Sequence, residues 1–266
     1  MNEIMLRNNV RIFGEGEKTI VFAHGFGCDQ NIWKYVTPHF TSEYRIILFD
    51  YVGSGKSDIN AYQPERYKTL HGYAQDLREI LEALQVHSAV FVGHSVSGMI
   101  GVLTAIQRPD FFKCLIMIGP SPRYLNDEPE YFGGFNDNDV KEILDIMEMN
   151  FVGWASMNAP ILIDYPERLS QQLESSFIAQ DPVIMRYFAE ATFLSDHRKE
   201  LLQVTVPSLI LQCAEDSIVP IQVGHYLHKN LQNSTLHVID AKGHYPCLSH
   251  PDETAGVIKD YLAQLN

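Results

Sequence analysis

Ser95 stands in the run Gly93-His94-Ser95-Val96-Ser97, where a serine can serve as a nucleophile. The pattern G-x-S-x-G sets a serine on a tight strand-to-helix bend, its hydroxyl projecting above a parallel sheet. Here Ser97 replaces the last glycine, and Gly98 follows one place late. That glycine lets the helix pack closely on its strand, so the position requires a small residue. Ser97 is nearly as small, and Gly98 and Gly101 keep that face of the helix slim. The substitution is expected to cost little.

A serine hydroxyl is a weak nucleophile alone. It needs a base, an acid to orient the base, and donors for the developing oxyanion. The chain supplies them after Ser95 in the order acid, then histidine. The apolar run Leu209-Ile210-Leu211-Gln212 leads into Cys213-Ala214-Glu215-Asp216. Asp216 is preferred because it lies deeper in the loop, before Ile218-Val219-Pro220, and Glu215 is the alternative. Ala241-Lys242-Gly243-His244 forms a second loop, in which glycine lets a histidine turn back over the sheet. The rival, His250, lies in Ser249-His250-Pro251-Asp252, which reads as the start of a final helix. The oxyanion donors are expected to be two backbone N–H groups. One is that of Val96, directly after the serine. The other is that of Phe26 in His24-Gly25-Phe26-Gly27, with its ring toward the pocket mouth.

These residues need a frame. Val10 to Phe13 and Thr19 to Ala23 read as strands joined by a short turn, and Arg45 to Phe49 as a third. Ala89 to Val92 is apolar on both faces, as in a parallel sheet covered by helices on both sides. Cys114 to Ile118, Ser208 to Gln212 and Thr235 to Ile239 read as further strands. Leu70 to Leu84 and Gly98 to Ile106 read as helices between them, and a final helix runs from about Asp252 to Leu265. Strands alternating with helices predict an α/β fold, a doubly wound and mostly parallel sheet.

The alternation breaks between Ser121 and Asp196, where helix signals stand without a convincing strand. Asn136 or Asp137 can cap one helix, Pro166 can open another, and Asp181-Pro182 reads as an N-cap followed by proline. The expected division is a core of residues 1–120 and 197–266 with a four-helix cap inserted at 121–196. The cap holds four of the eight methionines (Met147, Met149, Met157 and Met185), with Phe151, Trp154, Tyr187, Phe188 and Phe193. Most of these are expected to pack between helices. An apolar underside would also wall a hydrophobic pocket, made adaptable by methionine.

The 266 residues carry a formal net charge of −13, which repels phosphate backbones and anionic membrane surfaces. Nucleic-acid and membrane partners are therefore not expected. The start, MNEIMLRNNV, lacks the pattern of a secretory signal, and the four cysteines (Cys28, Cys114, Cys213 and Cys247) lack metal-ligand or CxxC spacing. Reduced thiols in a cytoplasmic protein are the expectation. YVGSGKS at 51–57 lacks phosphate-loop spacing and reads as a structural turn. The acidic residues at 137–139 read as a solvated helix cap rather than a metal site. The serine chemistry needs no cofactor.

GHSVSGM, HGFGCDQNIW, ILFDYVGSGKSD, YKTLHGYAQDL, GPSPRYLND, YFGGF and GHYPCLSHPDE together resemble the RsbQ branch of α/β-hydrolases. That branch includes bacterial RsbQ stress regulators and plant strigolactone and karrikin receptors, and the likeness spans nearly the whole chain. It implies an α/β-hydrolase fold with a V-shaped four-helix cap, and triad roles for Ser95, Asp216 and His244. It also implies an oxyanion hole at Phe26 and Val96, and a mostly apolar pocket lined by Phe26, Tyr124, Trp154, Phe193 and Ile218. The implied activity is slow hydrolysis of small hydrophobic compounds, often butenolides. Some members act as signal sensors, and RsbQ works with a regulatory partner, a phosphatase bearing a PAS domain. This chain departs from the pattern at Tyr245 and Cys247.

Overall fold

The computed structural model describes residues 3–163 and 166–265. A short helix, α1 (Glu3–Arg7), precedes strands β1 (Arg11–Phe13), β2 (Lys18–Ala23) and β3 (Tyr44–Leu48). Helices α2 (Pro64–Tyr67) and α3 (Leu70–Ala83) lead to β4 (Ala89–His94), α4 (Val96–Gln107) and β5 (Phe112–Ile118). Four helices follow: α5 (Asp137–Met149), α6 (Phe151–Leu162), α7 (Glu167–Ile178) and α8 (Pro182–Phe193). The chain then returns through β6 (Ser208–Glu215), α9 (Ile221–Asn230) and β7 (Ser234–Lys242), and finishes with α10 (Pro246–Ser249) and α11 (Pro251–Gln264).

The strands form one sheet in the order β1-β3-β2-β4-β5-β6-β7, parallel except for β1. Every residue of β4 is buried, as its apolar run predicts for a strand covered on both faces. The expected turn between the first two strands does not pair them. β1 lies antiparallel to β3 at the sheet edge, while β2 sits between β3 and β4. Burial decides this. β2 is buried from Ile20 to Ala23 and belongs inside the sheet, whereas no residue of β1 is buried.

The inserted helices begin where local chemistry marks them. At α5 the side chain of Asp139 accepts the N–H of Asn136 at 2.7 Å, completing a capping box between Asn136 and Asp139. At α8 the carboxylate of Asp181 accepts the N–H groups of Val183 (2.9 Å) and Ile184 (3.0 Å), with Pro182 at the first helical position. Such caps contribute roughly 1 kcal/mol each. The YVGSGKS turn is tied to the link between α7 and α8: the N–H of Gly55 donates to Gln180 at 3.0 Å. Among the described residues no helix is long and apolar enough to cross a membrane.

Candidate active site

The bend between β4 and α4 holds Ser95 at φ 55° and ψ −122°. A non-glycine residue in such a conformation carries roughly 1–3 kcal/mol of strain and persists only where its surroundings enforce it. Here the N–H of Ser95 donates to the carbonyl of Ile118 on β5 at 2.7 Å. A Cβ on Gly93 would come within 2.7 Å of the Ser97 carbonyl, and one on Gly101 would collide with Phe91. Small residues at these positions let the helix follow the strand so closely.

His244 stands between Ser95 and Asp216. Its Nε2 lies 2.8 Å from the Ser95 hydroxyl, and its Nδ1 lies 3.0 and 2.9 Å from the two carboxylate oxygens of Asp216. With Nδ1–H donating to the carboxylate, Nε2 is free to accept the serine proton. Asp216 is itself fixed. It accepts the N–H groups of Ile218 (2.8 Å) and Val219 (3.0 Å), and the Gln212 amide at 3.3 Å. The two alternatives stand apart. Glu215 ends β6 with an exposed side chain that pairs with Lys242 at 3.3 Å. His250 caps α11, with Nδ1 2.9 Å from the Ser249 hydroxyl. Gly119, which the sequence reading did not single out, sits at φ +58°, where a Cβ would lie 3.0 Å from the His244 ring.

The backbone of His244 is held from two sides. Its N–H donates to the carbonyl of Leu162 at the end of α6 (2.8 Å), and its carbonyl lies 2.8 Å from Nε2 of His94. His94 is fully buried, and burial lowers its pKa to about 3, so the ring is neutral and donates through Nε2–H.

Val96 opens α4, and Phe26 lies in the loop after β2. Neither backbone N–H has an acceptor among the described residues. The loop around Phe26 is fixed through His24. Nε2 of His24 accepts the N–H of Tyr51 at 3.1 Å, which leaves Nδ1–H to donate to the Gly25 carbonyl at 2.9 Å. Burial depresses the pKa of this ring too. Ser97 donates to the His24 carbonyl at 2.5 Å, so the hydroxyl of Tyr51, 2.8 Å away, must donate to Ser97. The serine that breaks the motif thus does more than stay small. It ties α4 to the loop that carries Phe26.

Above Ser95 lies a narrow cavity of about 50 Å³, partly open to solvent. Phe26, Tyr124, Trp154, Phe193 and Ile218, the five residues the sequence suggested, all line it with Ser95 and His244. Its wall also includes Ile143, Asn158, Leu162, Phe177, Thr192 and Tyr245, which the sequence reading did not place there. The Phe26 ring packs edge-on against Trp154 (6.0 Å), Phe188 (5.6 Å) and Phe193 (6.2 Å). The methionine wall is not found. Met147 and Met185 are buried away from the cavity, and Met149 and Met157 face solvent. Among the described residues the lining includes no Lys, Arg, Asp or Glu, which suits an uncharged ligand. Cys28 and Cys247 are buried and do not line it. Among the described residues no three His, Cys, Asp or Glu side chains cluster as a metal site.

Comparison with known proteins agrees with this geometry. Residues 20–257 match the alpha/beta hydrolase family. The chain is 42% identical to karrikin insensitive 2 receptor CA of Petunia hybrida over 96% of this chain and 95% of that protein. It is 39% identical to strigolactone esterase RMS3 of Pisum sativum, over 96% and 97% of the two chains. The solved structure of olei00960, a hydrolase from Oleispira antarctica, superposes with a TM-score of 0.96 at 39% identity, covering 98% of this chain and 96% of that one. The chain belongs to the alpha/beta hydrolase family, in the branch that holds the karrikin receptors and strigolactone esterases.

Proposed function

We propose that this chain is a serine hydrolase acting slowly on a small, neutral, hydrophobic ester, lactone or butenolide-like compound, and that a protein partner reads its occupied state. The reading rests on the alignment of Ser95, His244 and Asp216 beneath a cavity whose described lining is uncharged and rich in aromatic side chains. Ser95 attacks the carbonyl carbon while Nε2 of His244 takes its proton. The N–H groups of Phe26 and Val96 stabilise the oxyanion. As the tetrahedral intermediate collapses, the bond to the leaving oxygen breaks and His244 returns the proton to that oxygen. Water, giving a proton to His244, then attacks the acyl carbon; the bond to Ser95 Oγ breaks, His244 returns the proton to that oxygen, and the acid leaves. Asp216 holds the imidazolium at both steps.

In this reading residues 121–196 are a cap over a core of 1–120 and 197–266, and their underside shapes the ligand site. The signalling role is supported by relatives named as a receptor and as an esterase, and by the RsbQ resemblance. That resemblance points to a regulatory partner such as a PAS-containing phosphatase. Four buried, unpaired thiols fit a reducing cytoplasm. A complete triad equally serves an ordinary metabolic carboxylesterase or lactonase, and it disfavours a receptor with vestigial catalysis.

The test is a full product time course with an aryl ester and a fluorogenic butenolide, for wild type and Ser95→Ala. A Ser95-dependent burst near one equivalent followed by very slow turnover supports the sensor reading. Sustained fast turnover supports the metabolic one, and full activity of Ser95→Ala rejects both.

A further inference from the structure

Tyr245, the residue after His244, is buried, and its hydroxyl lies 3.3 Å from the carbonyl oxygen of Phe26. The thiol of Cys28 lies 3.6 Å from the same hydroxyl. Burial raises the phenol's pKa well above its usual value, so it is protonated and donates to the Phe26 carbonyl. The ring of Tyr245 packs on His94, with centroids 4.5 Å apart.

The direction of the Phe26 N–H follows from the two peptide planes that flank its Cα. The plane carrying that N–H also carries the Gly25 carbonyl, which receives Nδ1–H of His24 at 2.9 Å and the N–H of Cys28 at 3.3 Å. The next plane carries the Phe26 carbonyl, and its side-chain donor is Tyr245. With both planes held, φ and ψ of Phe26 are held. We propose that Tyr245 is a positioning residue that fixes the oxyanion donor of Phe26 relative to His244. The proposal rests on the serine-hydrolase reading above.

The contacts close a ring beneath the reacting atoms. His94, before the nucleophile, donates to the carbonyl of His244. Tyr245, after the base, donates to the carbonyl of the oxyanion residue. Gly25, before that residue, approaches the His94 ring so closely that a Cβ would collide with Nδ1. Base loop, nucleophile strand and oxyanion loop therefore move as one unit. A displacement of about 1 Å in such a site costs up to about a hundredfold in rate.

The experiment compares wild type, Tyr245→Phe and Cys247→Ala. Its readouts are the rate of Ser95 labelling by a fluorophosphonate, kcat and KM for an aryl ester, and the thermal midpoint. Cys247→Ala loosens buried packing two residues further on without removing a bond to the oxyanion loop. The expectation is that Tyr245→Phe lowers the labelling rate and kcat together by about tenfold, with KM within twofold of wild type, while Cys247→Ala keeps wild-type rates. Wild-type rates in Tyr245→Phe overturn the proposal. So do equal losses in Cys247→Ala, which make packing the cause, and a loss in KM alone. If Tyr245→Phe does not fold, Tyr245→Leu with intact folding and undiminished labelling also overturns it. Absence of labelling in wild type removes the serine-hydrolase reading, and this proposal with it.

Discussion

His94 donates through Nε2 to the carbonyl oxygen of His244 at 2.8 Å, so the residue before Ser95 holds the backbone of His244. The neutral ring that this bond requires has a consequence for pH. Burial holds the folded pKa of His94 near 3, against 6.5 for the ordinary side chain. Between those values the unfolded chain binds a proton that the folded chain does not, so stability falls as pH drops through that window. One such group contributes a slope of about 1.4 kcal/mol per pH unit, and His24, also depressed, adds in the same direction. Urea unfolding at pH 7, 6 and 5 checks the loss, and NMR is expected to find His94 without a titration near 6.5.

The two adjacent carboxylates separate cleanly. Asp216→Asn leaves a group that cannot hold the imidazolium, and kcat is expected to fall by roughly 10³- to 10⁴-fold. Glu215→Gln removes only an exposed ion pair with Lys242 and is expected to leave kcat within about twofold. Steady-state kinetics on the two variants checks both.

Restoring the motif glycine is expected to harm this protein. Ser97→Gly deletes the donor to the His24 carbonyl and leaves the buried Tyr51 hydroxyl without its acceptor. The expected loss is roughly 1–3 kcal/mol by urea denaturation, with a fall in kcat as the Phe26 loop loosens. An unchanged midpoint would show that size alone matters at position 97.

Gly119→Ala places a Cβ at a positive φ and 3.0 Å from the His244 ring. Backbone strain of about 1–2 kcal/mol is expected in the unfolding midpoint, together with lower kcat from a displaced base. Equal Tm and kcat for wild type and variant would contradict this.

The frame of the site was legible because its chemistry is local. β4 is apolar on both faces, Asp181-Pro182 and Asn136 carry their own capping signals, and the serine, acid and histidine motifs stand at strand ends. The edge position of β1 was less legible, since it depends on which strand the sheet interior claims. The supporting contacts were not legible. Tyr245 meets Phe26 across 219 positions of chain, and His94 meets His244 across 150. No spacing rule reaches that far. Ser97 read as a tolerated small residue because its size is local and its two hydrogen-bond partners are not. Methionine content likewise said nothing about which side of a helix each Met149 or Met157 would face.

The most direct measurement is mass spectrometry of the intact protein, and of its peptides, after fluorophosphonate treatment. The account predicts one adduct per chain at Ser95, absent in Ser95→Ala and strongly slowed in His244→Ala. An unlabelled wild-type protein, or an adduct that persists in Ser95→Ala, would contradict it.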